Sequence, residues 1–408
     1  MDREHEEVSC LTIPQPANRN REVMIVSGEA SGDMHGARLV RAMLEQDPDI
    51  SFCGMGGPEL EKAGVNILYD AHKLAVVGIT EVISHLGDIL AARRILTKRM
   101  RESRPALLIL IDYPDFNLLL AARAKKLGVP VFYYISPQVW AWRKGRTRKI
   151  GNLTDRIAVI LPFEQQFYAG YGIDVDFVGH PLMDGVHTSM TKDAFLRLHN
   201  IPGDNTVIGL LPGSRSREIR NLLPDFLRAA ALLTNQVSAE CTFLVPRASS
   251  IPESLLMENG LSNYKKTLDV RVISENRYDL MAACKAVVAA SGTVALELAM
   301  LDVPAVVTYR VSPRTYRIGR LLVRGVKYFS LVNLIGDQQV IPELLQDEVT
   351  PERIAAELKA MLDDGPIRQN ILAGLENVRR LIGGPGASDR AAEIALDTML
   401  TWKKHRQK

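Results

Sequence analysis

Four loops in this sequence carry side chains suited to chemistry, and each follows a short apolar run. The string Ile111-Asp112-Tyr113-Pro114-Asp115-Phe116-Asn117 closes the continuous apolar run Leu107–Ile111. A carboxylate emerging at the carboxyl end of a buried strand can act as a general base, its pKa set by burial and neighbouring charge. The alternative for Asp112 is a hydrogen bond that braces the loop. Asp115 is the expected N-cap of the following helix. The string Ser27-Gly28-Glu29-Ala30-Ser31-Gly32-Asp33 follows Val23–Ser27. Gly28 and Gly32 permit a tight turn and close backbone approach, but Glu29 and Asp33 would repel a phosphate. The loop also lacks both G-x-G-x-x-G and the Walker lysine. Glu29 suits a sugar hydroxyl or a protonated amine, and Asp33 is either a second such group or the cap of its own helix.

The other two loops favour anions. Leu211-Pro212-Gly213-Ser214-Arg215-Ser216-Arg217-Glu218 joins a glycine turn to a serine donor and two arginines. The guanidinium of Arg215 can bridge two phosphate oxygens, so Gly213, Ser214 and Arg215 form the better pyrophosphate site. The plainer reading pairs those arginines with Glu218. In Ala290-Ser291-Gly292-Thr293-Val294-Ala295-Leu296-Glu297 a turn of small residues opens a helix with backbone N–H groups free at its start. Glu297 stands one turn after Thr293 on the same face. There it can accept two ribose hydroxyls, as acids do in dinucleotide folds, or sit in an ion pair.

The elements that must hold these loops alternate. Val23–Ser27, Leu107–Ile111, Val131–Ile135, Ile157–Leu161 and Val175–Val178 read as strands, with helical patterns over about 34–45, over 118–127 and from about Phe163. The rhythm restarts with Val207–Leu211, Thr242–Val245, Val270–Ile273, Val287–Ala290 and Ala305–Thr308. This is the pattern of parallel sheets covered by helices. Gly179–Asn205 reads as a hinge around a short helix. The sequence is mainly helical from Pro351 onward, and Ser388 is the expected N-cap of the last helix. The fold class is therefore α/β, with two Rossmann-like domains whose parallel sheets face a central cleft. The expected divisions are a flexible extension over 1–21, a first Rossmann-like domain over 22–185, a second over 186–385 and a C-terminal helix over 386–408. That helix packs either on its own N-terminal domain or on a partner chain.

Composition narrows the classes. The chain has 408 residues, 47% hydrophobic and 24% charged, with a formal net charge of +3. This describes a globular protein of about two domains whose overall charge gives no reason to expect nucleic acid. Cys10, Cys53, Cys241 and Cys284 show neither C-x-x-C nor zinc spacing, so no metal site and no disulfide framework is expected. No apolar run reaches the roughly 18 residues of a membrane span, and 1–21 lacks the basic start and apolar centre of a signal peptide. The expected location is cytoplasmic.

Taken in order, the loops resemble a family. Ser27–Asp33, Ile111–Asn117, Ser136-Pro137-Gln138-Val139-Trp140-Ala141-Trp142-Arg143, Val178-Gly179-His180-Pro181, Leu211–Arg215 and Ser291–Glu297 are similar to the ordered signature of lipid-A-disaccharide synthases. Leu331-Val332-Asn333-Leu334 and Pro342-Glu343-Leu344-Leu345-Gln346 extend the likeness, which runs from about Glu22 to Gln346. The S-P-Q-V-W-A-W-R string is its most specific part. The resemblance implies a GT-B glycosyltransferase. Such an enzyme moves 2,3-diacylglucosamine from its UDP derivative to 2,3-diacylglucosamine 1-phosphate, with inversion and without a metal or other cofactor. It further implies Asp112 as the catalytic carboxylate, Arg215 and Asn333 as essential, and Glu29 in the active-site loop, with Gly28, Ser31 and Gly32 on the acceptor side. The sequence departs from the family in its first 21 residues and at Gln338-Gln339, where a basic-acidic pair is expected.

Acylated substrates require contact with a membrane. Ile79, Val82, Ile83, Leu86, Ile89 and Leu90 share one helical stripe that runs into Arg93, Arg94, Lys98, Arg99 and Arg101. This pattern suits insertion at an anionic surface, here the inner membrane of a Gram-negative-type bacterium, or else an ordinary core stripe with a solvated basic end. Arg314, Arg317, Arg320, Arg324 and Lys327, with Lys403, Lys404 and Arg406, form a second basic group. His180 is a rival base, although hinge packing suits it better. A UDP-N-acetylglucosamine 2-epimerase, another GT-B transferase or a non-catalytic nucleotide sensor would share the nucleotide loops. The missing G-x-G-x-x-G disfavours a nicotinamide dehydrogenase. The sequence leaves a homodimer open.

Overall fold

A computed structural model describes residues 21–74, 86–142, 144–312, 316, 317 and 327–406. Its strands form two parallel sheets. The first has the order β3-β2-β1-β4-β5-β6-β7. Its strands are β1 (Glu22–Ser27), β2 (Ser51–Gly56), β3 (Val65–Asp70), β4 (Leu107–Ile111), β5 (Val131–Tyr134), β6 (Arg156–Val159) and β7 (Asp176–Phe177). The second has the order β10-β9-β8-β11-β12-β13. Its strands are β8 (Thr206–Leu211), β9 (Cys241–Pro246), β10 (Asp269–Ile273), β11 (Ala286–Ala290), β12 (Ala305–Tyr309) and β13 (Glu343–Leu345). In each sheet the strand order reverses beside the first strand, between β1 and β4 and between β8 and β11.

All five residues of β4 are fully buried, as expected for a strand covered on both faces. At roughly 1.5–3 kcal/mol per buried aliphatic side chain, strands of this kind carry much of the core's stabilisation. Two compact units result. One gathers the chain up to Tyr133 with Leu153–Asp155 and the chain from Ala395, and the other gathers Tyr134–Asn152 with Arg156–Ile394. Cys53, Cys241 and Cys284 are free and buried.

Several caps differ from expectation. The first helix runs Ala30–Gln46 with an extended Glu29 before it, so Asp33 lies within the first turn. The carboxylate of Asp33 caps a different helix, accepting from Gly57 N at 2.6 Å, Glu59 N at 2.9 Å and Leu60 N at 3.3 Å at the start of Pro58–Lys62. The second correction concerns Asp115, because that helix begins at Pro114 and Tyr113 is its N-cap. Ser388 is likewise no N-cap. It sits inside Ala387–Arg406, and its N–H and hydroxyl each donate to Asp184 at 3.1 Å.

The expected hinge segment is tied down within the second unit. His180 N donates to Ile382 O at 3.1 Å, and Gly386 N to Asp184 at 2.6 Å. Arg390 spreads its guanidinium over the carbonyls of Val178, Gly384 and Pro385. His180 is buried and accepts from Leu182 N through Nδ1 at 3.2 Å.

The apolar stripe is described only in part. Ile79, Val82 and Ile83 lie outside the described residues, and Leu86 opens the helix Leu86–Ser103. The core-facing side of that helix is Ala92, Leu96 and Met100, all fully buried. Leu90 and Ile95 are 46% and 39% exposed, between the exposed Arg93, Arg94, Lys98 and Arg101. Arg99 departs from the expected solvated basic end, because it is partly buried and pairs with Glu22. Of the second basic group, Arg314, Arg320 and Arg324 lie outside the described residues, and Arg317 and Lys327 are exposed. Among the described residues no helix is long and apolar enough to cross a membrane.

Candidate active site

In open α/β sheets ligands bind beyond the carboxyl ends of strands, where the strand order reverses. In the first sheet that point lies between β1 and β4, whose last paired residues are Ser27 and Ile111. The Gly28–Asp33 and Asp112–Asn117 loops therefore leave side by side. Asp112 and Tyr113 both adopt left-handed backbone, at φ 42° and 44°, a conformation that costs on the order of 1–3 kcal/mol per non-glycine residue. The surroundings enforce it. Asn117, fully buried in the first turn of Pro114–Leu127, donates to Ile111 O at 3.1 Å and Asp112 O at 2.7 Å. The Tyr133 hydroxyl donates to Asp112 O at 2.6 Å. The Tyr113 ring packs on Gly28, where a Cβ would stand 2.4 Å from the ring.

This geometry sets the electrostatics. Burial, followed by the charge of Glu29, pushes the Asp112 carboxyl up to about 6. The Tyr113 phenol is raised by the same two causes and by Asp115. Glu29 and Ser31 are exposed at the helix entrance, and Gly32 is buried beneath them. The result is a carboxyl that holds or takes a proton near neutrality, beside a second carboxylate open to a polar ligand.

In the second sheet the corresponding point lies between β8 and β11, paired through Leu211 and Ala289. Gly213 adopts φ 108°, and a Cβ there would stand 2.1 Å from a Glu218 oxygen. Glu218 folds back on its own loop and accepts from Ser214 N at 3.0 Å and Arg215 N at 3.1 Å. Its other oxygen pairs with Arg215 at 3.2 Å. The Arg215 side chain nevertheless remains 68% exposed. On the neighbouring loop Gly292 and Thr293 are exposed. Ser291 N–H is not free, contrary to expectation, because it donates to Thr308 O at 2.8 Å and extends the β11–β12 ladder. Glu297 is buried and paired with Arg277. Burial raises its carboxyl and the guanidinium opposes the rise.

Asn333 is fully buried and uses its whole amide. Nδ2 donates to Ile341 O and to Glu343, both at 2.9 Å, and Oδ1 accepts from Val340 N at 2.8 Å and Ile341 N at 2.9 Å. Two donors and two lone pairs are all that a side-chain amide has. Glu343 also accepts from Phe329 N and Ser330 N, so Asn333 locks the turn that displays the exposed Gln338 and Gln339.

Sequence reasoning missed Arg277, Asn117, Tyr133, Glu164 and Tyr168. The last two lie four apart on the helix Pro162–Ala169 and hold Trp140 and Ser136, also four apart. That matching spacing was the available signal.

The family model and the curated relatives agree on one family. The family model described as lipid-A-disaccharide synthetase matches residues 23–394. A lipid-A-disaccharide synthase of Syntrophus aciditrophicus is 49% identical over 374 residues, covering 92% of this chain and 97% of that protein. Among solved structures, the calicheamicin glycosyltransferase CalG4 superposes with a TM-score of 0.59 at 14% identity, covering 93% of this chain and 98% of that one. A UDP-GlcNAc 2-epimerase from Neisseria meningitidis bound to UDP-GlcNAc superposes with a TM-score of 0.61 at 12% identity, covering 93% and 100%. At such identities the structural likeness establishes the GT-B fold.

Proposed function

Because this chain belongs to the lipid-A-disaccharide synthetase family, we propose that it joins two acylated glucosamines. In the proposed reaction 2,3-diacylglucosamine moves from its UDP derivative to the 6-hydroxyl of 2,3-diacylglucosamine 1-phosphate. The new bond is β-1,6 and the configuration at the transferred carbon inverts. The observation that carries the mechanism is the Asp112 carboxyl, held in strained backbone at the strand-order reversal and raised toward neutrality beside Glu29.

In this reading Asp112 takes the proton of the acceptor 6-hydroxyl as that oxygen attacks the anomeric carbon. The bond to UDP breaks, and UDP leaves with the electron pair. Arg215, together with the exposed Ser214, Gly292 and Thr293, stabilises the departing diphosphate, a preorganised role of the kind that dominates many catalysed reactions. Glu297, set against Arg277, receives the ribose, and Glu29 and Ser31 face the acceptor sugar with Gly28 and Gly32 beneath them. Asn333 holds its turn in place. The domain division follows the loops. Residues 22–185 take the acceptor and the membrane, and residues 186–385 take the UDP-sugar.

Leu90 and Ile95, exposed among four arginines and lysines, support peripheral docking on an anionic inner-membrane surface from the cytoplasmic side. The test is to incubate purified protein with both acylated sugars in detergent, with a chelator present, and to measure disaccharide and UDP. Product formation supports the reading. Turnover of UDP-N-acetylglucosamine alone would replace it with an epimerase.

A further inference from the structure

The part of the Ser136–Arg143 string from Ser136 to Ala141 follows the carboxyl end of β5, the side of the sheet on which open α/β folds bind ligands. Three contacts fasten it within the second unit. Ser136 is buried and shares a hydrogen bond with the Tyr168 hydroxyl. The Trp140 indole donates to Glu164 Oε1 at 3.2 Å. The Trp140 ring also meets Phe163 edge-on, with centroids 4.9 Å apart. The backbone is equally committed. Ile135 takes a left-handed φ of 59° and donates to Ala158 O, Val139 N donates to Pro137 O at 2.6 Å, and Ala141 N donates to Gln138 O at 3.2 Å.

Glu164 shows how firmly this segment is set. It is 1% exposed and accepts from Trp140, Ile160 N and Leu161 N, while burial pushes its carboxyl up to about 7. A buried carboxylate is costly unless its partners are all in register, so it specifies one arrangement of the string. Within that arrangement Ser136, Pro137, Val139 and Trp140 are buried, and Gln138 alone in the run 136–140 is exposed. Among the described residues its amide makes no side-chain hydrogen bond. A group with two donors and two acceptor sites is thus displayed from a fixed platform. It matches hydroxyl and amide groups on a sugar ring.

We infer that Gln138 contacts the glucosamine ring of one of the two substrates, and that Ser136, Trp140, Glu164 and Tyr168 are positioning residues for it. The inference rests on the glycosyl transfer proposed above. The experiment is steady-state kinetics on full-length Gln138→Ala and Trp140→Phe, varying each acylated sugar in turn, with thermal midpoints and UDP affinity measured alongside. A neutral hydrogen bond corresponds to about two- to ten-fold in a binding constant. Gln138→Ala is therefore expected to raise the KM of one substrate by that factor, leaving UDP affinity and the thermal midpoint unchanged. The substrate whose KM moves is the one contacted. Trp140→Phe is expected to move the same constant and also to lower the midpoint. Unchanged KM and kcat for both substrates in Gln138→Ala would overturn the inference, as would a shift seen only in Trp140→Phe. If the unmodified protein forms no disaccharide, the functional reading itself fails.

Discussion

The loops after β1 and β8 hold the same place in their sheets, each at a strand-order reversal and each opening a helix, yet they present opposite charge. In the first loop Asp33 sends its carboxylate away to cap Pro58–Lys62, which leaves Glu29 exposed beside Asp112. In the second loop Glu218 turns back and covers the amides of Ser214 and Arg215, so the exposed feature is the Arg215 guanidinium. Both points are of the kind at which open α/β sheets bind ligands. The direction in which one acid spends its hydrogen bonds decides whether that point accepts protons or anions.

The sharpest test of this contrast is Asp112→Asn. General-base catalysis contributes about 100- to 10,000-fold, so kcat should fall by a factor in that range, and a wild-type rate would remove the acidic half of the comparison. In the unmodified enzyme kcat should rise with pH through about 6 as Asp112 ionises. Stability moves the other way. The folded state raises this carboxyl above its ordinary 3.8, so it favours the protonated form. That contribution is complete below about pH 4 and is lost as pH rises through about 6. Asp112→Asn should therefore be more stable than wild type at pH 8, by up to about 3 kcal/mol. The gain should vanish in acid, as calorimetry at the two pH values would show.

Arg215→Ala breaks the cationic half. Loss of one preorganised donor costs about 100- to 1000-fold, and Arg215→Lys should recover only part of it, because the planar fork is gone. Turnover assays on both variants read this directly. Asp33→Ala should behave differently from either. It leaves three amides at the start of Pro58–Lys62 without their acceptor, costing about 1–3 kcal/mol, a loss visible as a lower urea midpoint with kcat per folded molecule little changed. The smallest effect belongs to Glu29→Gln. Removing one of the two causes that raise Asp112 should move the acid limb of the kcat profile to lower pH by a fraction of a unit.

The strands that carry the site were legible because they are continuous apolar runs. Leu107–Ile111 has the expected bounds, and the loops after Ser27, Ile111, Leu211 and Ala290 lie where the pattern places them. Strands β2, β3 and β13 were not foreseen. Gly54 and Gly56 interrupt the first of these, and the last is only three residues long. What positions Asp112 left no periodic trace. Asn117 and Tyr133 act by hydrogen bonds to backbone oxygens, which no spacing rule encodes. Arg277 and Glu297 are twenty residues apart, and Arg277 carries no sign of its partner. The misread caps share one cause. Asp33, Asp115 and Ser388 all have cap-forming side chains, but local preference does not reveal which helix end or which distant acid receives the bond.

The staple at Asp184 and Arg390 has a consequence for how the chain is made. Asp184 waits for Gly386 and Ser388, 202 and 204 residues later, and Val178 O waits for Arg390 across 212. At a synthesis rate of roughly 5–20 residues per second, the ribosome needs about 10–40 s to deliver those partners. Throughout that interval the carboxylate of Asp184 stands open. The second unit can close at this staple only once Gly386, Ser388 and Arg390 have been made, so this part of the chain stays within reach of chaperones and proteases for that interval.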